Sequence, residues 1–194
     1  GGGSNSISTG HFTDSAVAGL TYTTATQIGI TDATGKFNYI NGETITFSLG
    51  DTVIGEAVTA KSDMTPFDLV SGATLYTNSA QVESMFDRSP LSPARLAFNK
   101  FSNILVFLQS LDDDANPDNG INIPAGVGDL LAGVQIDFEQ NNSSFSSELK
   151  TATHRAAGSG LLSTGAVRKV GYALDHFYSA QGISHSFAVP STQS

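Results

Sequence analysis

The spacing of apolar residues changes once along this chain, and the change separates a strand-forming part from a helix-forming part. Over residues 12–60, apolar and polar side chains alternate in short runs, most clearly in TITFSL at 44–49, which is the period of a half-buried strand. From Ser92 onwards apolar residues recur every three or four positions, the period of an amphipathic helix. The sequence therefore predicts an α+β fold, with an N-terminal antiparallel β-module followed by a helical portion.

The β-module is predicted over 13–64, with about five strands in a sandwich-like arrangement. Asn41-Gly42 lies between two strand patterns and suits the positive φ angles of a type I′ hairpin turn, and Gly50-Asp51 reverses the chain again. The preceding residues 1–12 are rich in glycine and serine, which predicts a flexible tether. Its first residues are either native or left over from expression.

The helical portion is predicted over 65–194, with three to four helices packed on the β-module. Ser92 followed by Pro93 is a strong helix start, and the apolar stripe of this helix ends at Leu111. Two later helices are predicted from capping residues and glycines. Their predicted limits are Ser143 or Ser144 to Gly158, and Ser163 or Thr164 to Gly182.

Acidic and amide side chains crowd the loop at 112–119, directly after that stripe. A helix C-terminus carries partial negative charge, so carboxylates there are unfavourable unless a positive charge offsets them. The D-x-D-x-N-x-D spacing also puts oxygen ligands on alternate residues, as in loops that wrap calcium. The predicted ligands of a structural Ca²⁺ ion are Asp112, Asp114, Asn116 and Asp118.

This loop does not follow the EF-hand pattern. Pro117 stands where that pattern has glycine, and Ile123 stands where it has glutamate. The alternative to a calcium site is a solvated acidic turn, since Asp118, Asn119 and Gly120 are common turn residues.

Several segments carry a resemblance to a protein family. They are AGLTY at 18–22, GITDATGKFNY at 29–39, GETITFSLG at 42–50, LQSLDDD at 108–114 and NGI at 119–121. The chain resembles the N-terminal module of surface lipoproteins and adhesin-like proteins of marine and other proteobacteria. The resemblance implies a lipid anchor upstream of Gly1 and a location at the outer-membrane surface or outside the cell. The T-D-x-x-G-x-F part is also similar to carboxypeptidase-regulatory-like β-sandwich domains, where it has no catalytic role.

Charge and composition restrict the partners. Nine Lys and Arg against eighteen Asp and Glu give a formal charge of −9, which argues against binding nucleic acid or an anionic membrane surface. The absence of cysteine excludes disulfides, thiolate nucleophiles and cysteine-based zinc sites. Abundant Gly, Ser and Thr with little Lys favour an extracellular bacterial protein over a cytosolic one.

No local pattern points to catalysis. The sequence has no G-x-S-x-G elbow, and its histidines lack the close spacings of a zinc site. Asp175 and His176 are adjacent, so on a helix they point about 100° apart and do not form a dyad. No catalytic or cofactor-binding residue is predicted. The histidines are His11, His154, His176 and His185.

The expected function is therefore binding or adhesion at the cell surface, to a protein or glycan, with calcium stabilising the fold. One alternative is a subunit of an extracellular homopolymeric assembly, whose N-terminal arm adds a strand to a neighbour's sheet. The other is an accessory domain of a secreted enzyme.

Overall fold

Nine strands and four α-helices are present in residues 6–86 and 91–186, the parts of the chain that the computed structural model describes. The strands are β1 (Ile7–Phe12), β2 (Val17–Ala18), β3 (Thr21–Thr23), β4 (Ile28–Ile30), β5 (Lys36–Ile40), β6 (Thr44–Leu49), β7 (Thr52–Thr59), β8 (Asp63–Met64) and β9 (Ile121–Asn122). The α-helices are α1 (Ser79–Met85), α2 (Pro93–Ser110), α3 (Asn142–Gly158) and α4 (Val170–Ala180). The predicted α+β class is confirmed, with more and shorter strands than the five expected.

Two of the three sheets face each other through aromatic rings. One has the strand order β5-β1-β8 and the other the order β4-β3-β6-β7, while β2 and β9 form a separate parallel pair. Phe12 of the first sheet and Phe47 of the second have ring centroids 4.5 Å apart, and Phe37 meets Phe47 at 5.5 Å. All three rings are fully buried, so the sheets enclose an aromatic layer between them.

The N-terminal segment is where the structure departs most from the sequence prediction. A flexible tether was expected over 1–12, but Ile7–Phe12 is the central strand of its sheet, antiparallel to β5 and parallel to β8. Gly10 serves close packing, because a Cβ there would lie 2.4 Å from the ring of Phe37. The tether prediction is wrong for this strand, and residues 1–5 lie outside the described part of the chain.

The predicted hairpin at Asn41-Gly42 is also wrong. Strands β5 and β6 belong to different sheets, so the turn carries the chain from one sheet to the other. Glu43 N–H donates to the Ile40 carbonyl at 3.0 Å, and Gly42 has φ of 94° while Asn41 does not have a positive φ. A type I′ turn needs two positive φ angles. In contrast, Gly50-Asp51 does join the antiparallel pair β6 and β7, as predicted.

Helix α2 begins and ends where the sequence predicts. The Ser92 hydroxyl accepts from the Arg95 N–H at 3.2 Å, and Leu111 is the C-terminal cap. Almost the whole helix is buried among the β-module, α3 and α4. The ring centroid of Phe101, in α2, lies 5.3 Å from that of Phe177 in α4.

The other predicted helix starts are displaced. Helix α3 is capped by Asn141, whose side chain accepts from the Ser144 N–H at 2.9 Å, so neither predicted serine is its cap. Helix α4 starts at Val170 without a side-chain cap, later than Ser163 or Thr164. The segment before α4 is held by packing instead, since the Arg168 N–H donates to Ser110 Oγ at 2.9 Å.

The β-module and the helical portion share one hydrophobic core. A continuous cluster of buried apolar side chains runs from Phe12 in β1 to Tyr178 in α4. The predicted boundary near residue 64 therefore separates two kinds of secondary structure rather than two cores. Among the described residues, no helix has the length and apolar character needed to cross a bilayer.

Candidate metal centre and the adjoining polar cluster

Asp112 is the buried end of the acidic loop. It follows the C-terminal cap of α2, and only 2% of its surface is exposed. One carboxylate oxygen, Oδ1, accepts from the Asn122 N–H at 2.9 Å. The other, Oδ2, is buried and has no hydrogen-bond partner among the described residues. An unpaired carboxylate oxygen away from water is costly, so this atom needs a proton or a cation.

Asn122 closes the loop from its far end. Its side-chain amide donates to Asp113 Oδ2 at 2.9 Å, and its carbonyl accepts from the Asp113 N–H at 2.9 Å. Because Asn122 belongs to β9, which pairs with β2, these bonds tie the end of α2 to the β-module.

Three consecutive carboxylates converge at this point. Asp112, Asp113 and Asp114 each offer an oxygen, and these oxygens all lie within 4.8 Å of one another. Ca²⁺ binds oxygen at about 2.3–2.6 Å, so two ligands of one ion are separated by at most about 5 Å. Asp112 is buried, Asp113 half-buried and Asp114 exposed. The cluster therefore opens from the core towards solvent, which leaves space for water ligands.

The electrostatics of the cluster suit a site that binds either a proton or a cation. Burial is the largest cause that raises the pKa of Asp112, the hydrogen bond from the Asn122 N–H opposes it, and the charges of Asp114 and Asp113 with a hydrogen bond to the Asp114 side chain bring the pKa to about 7 in total. Hydrogen bonds from Asn119 and the Asn116 N–H hold the pKa of Asp114 below its usual value. Asp114 thus remains a carboxylate where Asp112 tends to hold a proton.

The other two predicted calcium ligands lie elsewhere. Asn116 Oδ1 accepts from the Asp118 N–H at 3.2 Å and caps the 3-10 helix Pro117–Asn119. That helical turn directs Asp118 away from Asp112, so its Oδ1 lies 3.1 Å from His176 Nδ1. The structure brings Asp112 and Asp114 together, adds Asp113, and separates Asp118 from them.

A second polar cluster lies beside the loop. Asp14 is fully buried, and its Oδ2 accepts from Gln109 Nε2 at 3.0 Å while its Oδ1 has no partner among the described residues. Burial raises the pKa of Asp14 well above its usual value, although Gln109 and the charge of Arg168 oppose this. His176 Nε2 lies 3.0 Å from Ser15 Oγ and 3.2 Å from the Asp14 carbonyl oxygen.

Sequence reasoning missed Asp14, Ser15 and Arg168. Asp14 and Ser15 are about 160 positions from His176, so no local pattern connects them. One signal was available, because Gln109 interrupts an apolar helical stripe and a buried amide needs polar partners. Arg168 supplies the positive charge expected near the loop, since its guanidinium interacts with Asp118, Asp14 and Asp112.

His185 and His154 do not join either cluster. His185 Nε2 lies 2.7 Å from Asp175, and although burial lowers the pKa of His185, the hydrogen bonds to Asp175 and to the Ile183 carbonyl raise it overall. As predicted, Asp175 and His176 do not pair with each other. His154 lines a cavity of about 660 Å³, and none of the described residues that line it carries a carboxylate.

No family model, curated protein or solved structure matches this chain significantly. The resemblance to surface lipoproteins therefore stays a prediction.

Proposed function

We propose that this protein is a secreted or cell-surface binding module whose acidic loop holds a stabilising calcium ion. The observation that carries the proposal is the buried Asp112 carboxylate, whose unpartnered Oδ2 lies in a cluster with Asp113 and Asp114. A cation there would compensate three carboxylates and satisfy the buried oxygen.

The ligand chemistry favours calcium over other common ions. The cluster offers only carboxylate oxygens, without histidine or cysteine, which disfavours zinc. Calcium accepts six to eight oxygens in irregular geometry and so tolerates a half-open site completed by water. Calcium sites in extracellular modules have dissociation constants of roughly 10⁻⁴ to 10⁻³ M. We expect an affinity in this range here, because the three carboxylates lie at a solvent-exposed edge.

The ion would act where the two parts of the fold meet. Asp112 follows α2, while Asn122, which bonds both Asp112 and Asp113, belongs to the β2–β9 pair. Neutralising the loop would also remove the unfavourable interaction of its carboxylates with the C-terminal end of the α2 dipole. Calcium would thus fasten the helical portion to the β-module.

The calcium proposal is tested by thermal unfolding with and without chelator. At about 10 mM calcium, a dissociation constant of about 1 mM stabilises the folded protein by about 1.4 kcal/mol. That corresponds to a rise in Tm of about 3–6 °C for a chain of this size. Asp114→Ala should abolish the rise, whereas Asp129→Ala, an exposed carboxylate outside the cluster, should retain it. A wild-type Tm that changes with neither chelator nor calcium would contradict the proposal.

The outer face of the four-stranded sheet supports the binding part of the proposal. Ile28 and Ile30 of the edge strand β4 are 76% and 68% exposed, and Val53 of β7 is 53% exposed. Ile30 pairs with Thr21, which in turn faces Ser48 on β6. Ile28, Ile30 and Val53 thus share one face of the sheet, with the hydroxyls of Thr21 and Ser48 between Ile30 and Val53, and this face is the candidate interaction surface.

The double variant Ile28→Thr with Ile30→Thr tests this face. Because both side chains are exposed, the change should leave the fold intact but lower the fraction of protein that sediments with intact bacterial cells. Tyr172→Thr is the matched control, since Tyr172 is a 41% exposed residue of α4 and not of this sheet. Equal sedimentation of the wild type and the double variant would remove the face from the proposal.

The strand-donation alternative receives less support. It requires the N-terminal arm to be free, but Ile7–Phe12 is paired on both sides within its own chain. Location at the outer surface and a lipid anchor remain part of the proposal, and accessibility of the protein to external protease on intact cells tests them.

A further inference from the structure

The side chains of Ser15, His176 and Asp118 are linked in space as the serine, histidine and aspartate of a serine-hydrolase triad are. Ser15 Oγ is 3.0 Å from His176 Nε2, and the opposite ring nitrogen, Nδ1, is 3.1 Å from Asp118 Oδ1. Both distances are those of hydrogen bonds. We propose that these three residues form a hydrolytic site in which Ser15 attacks the carbonyl carbon of a small ester.

Catalysis at this site requires the resting ring to carry its proton on Nδ1. A carboxylate only accepts hydrogen bonds, so Asp118 requires the proton on Nδ1. In the neutral imidazole Nε2 is then the acceptor for the Ser15 hydroxyl, which is the tautomer that a general base needs. Asp118 acts through His176 and is therefore a positioning residue.

His176 Nε2 has two oxygen neighbours besides the Ser15 hydroxyl. The Asp14 carbonyl oxygen lies 3.2 Å from Nε2, and Asp14 Oδ1 lies 3.9 Å from the same nitrogen. The carbonyl oxygen only accepts hydrogen bonds, so it favours a proton on Nε2, whereas Asp118 favours one on Nδ1. Both acceptors are satisfied together when the ring carries both protons, as it does after taking the proton of Ser15.

Ser15 is held in a conformation that presents its hydroxyl. Its φ is 50°, in the left-handed region that serine rarely adopts. Residues in such conformations cluster at functional sites, where the fold overcomes the local strain. Here the turn from Thr13 to Ala16 is fixed by its own bridge and by Gln181 Nε2, which donates to the Thr13 carbonyl at 3.3 Å.

The triad opens into a surface cavity that a substrate can enter. The cavity has a volume of about 230 Å³ and is lined by Ser15, Asp118, His176, Ser179 and Ala180. Ser179, one helical turn after His176, also lines this cavity, and we assign its hydroxyl to the oxyanion. The size admits a short acyl group.

The charge of the surroundings selects the substrate class. Asp118, whose side chain is 85% exposed, brings a carboxylate to the lining of the cavity. An anionic substrate is repelled, and a neutral or cationic short-chain ester is favoured.

The reaction balances without a further reactant. Ser15 Oγ bonds to the ester carbonyl carbon as its proton moves to His176 Nε2, and the departing alkoxide takes that proton from Nε2 as the C–O bond breaks. Water then attacks the acyl-serine, its proton passes to Nε2 and on to Ser15 Oγ, and the carboxylic acid leaves.

The test uses the whole chain, a fluorophosphonate probe and p-nitrophenyl acetate. The probe should label Ser15, as located by peptide mass spectrometry, and the protein should hydrolyse the ester. Ser15→Ala and His176→Ala should each lower kcat by at least about 10²-fold, as expected for loss of the nucleophile or the base. Ser15→Gly is a second variant, because glycine adopts φ of 50° without strain.

Matched controls separate this site from background reactivity. Ser147→Ala and His154→Ala change a serine and a histidine in the other cavity, so both should retain labelling and turnover. Asp118→Asn should lower kcat about tenfold with little change in KM or Tm, because the Asp118 side chain is 85% exposed and acts only on the ring. A structural role alone would not lower kcat at constant Tm.

Two results would overturn the proposal. One is a folded wild-type protein that neither reacts with the probe nor hydrolyses the ester faster than buffer. The other is hydrolysis that survives in both Ser15→Ala and Ser15→Gly, which would mean that an imidazole attacks the ester directly.

Discussion

At Asp112 a proton and the proposed calcium ion would compete for the same buried oxygen. The pKa of Asp112 in the folded protein is about 7 against an ordinary value of 3.8, so the folded state binds a proton more strongly than the unfolded state does. The corresponding stability is fully present below about pH 4 and is lost as the pH rises through about 7. Without calcium the loss is at most about 4 kcal/mol, because each tenfold gain in proton affinity is worth about 1.4 kcal/mol and solvent at the open side of the cluster screens part of it.

Asp112→Asn isolates this effect, because asparagine does not titrate. In calcium-free buffer, the free energy of unfolding of the wild type relative to this variant should fall between about pH 4 and pH 7, the interval between the ordinary and the raised pKa. Added calcium should restore the free energy of unfolding of the wild type at pH 8, where the carboxylate is charged, and leave that of the variant unchanged. Urea unfolding at several pH values measures the difference. A relative stability that does not change with pH would contradict the raised pKa.

The two polar clusters differ in what a sequence can reveal about them. Asp112 and Asp114 are two positions apart, so their spacing alone predicts a cation site. Ser15 and His176 are 161 positions apart and meet only because α4 packs beside the turn that follows β1. Their chemistry depends on tertiary packing, which residue spacing does not encode.

Among the secondary-structure elements, we expect removal of β1 to have the largest effect on folding. A chain that starts at Phe12 lacks Ile7–His11 and removes the strand that lies between β5 and β8. We expect this deletion to prevent folding or to lower Tm strongly, because it exposes the buried ring of Phe37 and leaves two strands unpaired. A chain that starts at Ser6 keeps β1 and is the matched control. Cooperative unfolding of both chains at the same Tm, measured by circular dichroism, would contradict the assignment of this strand.

Local signals predict some elements and fail for others. Both ends of α2 follow from Ser92-Pro93 and Leu111, since a cap acts within one turn of its helix. Strand β1 is polar and contains Gly10, so only its pairing with β5 and β8 reveals it. The turn at Asn41-Gly42 has a hairpin sequence, yet its flanking strands find better partners in separate sheets. Tertiary pairing overrides local propensity in both cases.

For the whole molecule, one core spans both portions and the acidic loop lies where they join. The loop begins at the end of α2, closes on Asn122 of β9, and through β9 reaches β2. It also adjoins the cluster of Asp14, Ser15 and His176 through Asp118. An ion bound by Asp112, Asp113 and Asp114 would therefore stabilise one contact between the helical portion and the β-module.

Isothermal titration of calcium into chelator-treated protein tests this claim most directly. The wild type should bind one Ca²⁺ with a Kd of roughly 10⁻⁴ to 10⁻³ M, as in extracellular modules. Below about pH 7 binding should release a proton from Asp112, so the measured heat should depend on the ionisation enthalpy of the buffer. Asp112→Asn should lose binding, and Asp129→Ala should keep it. Binding that is absent in the folded wild type, or that persists unchanged in Asp112→Asn, would contradict the account.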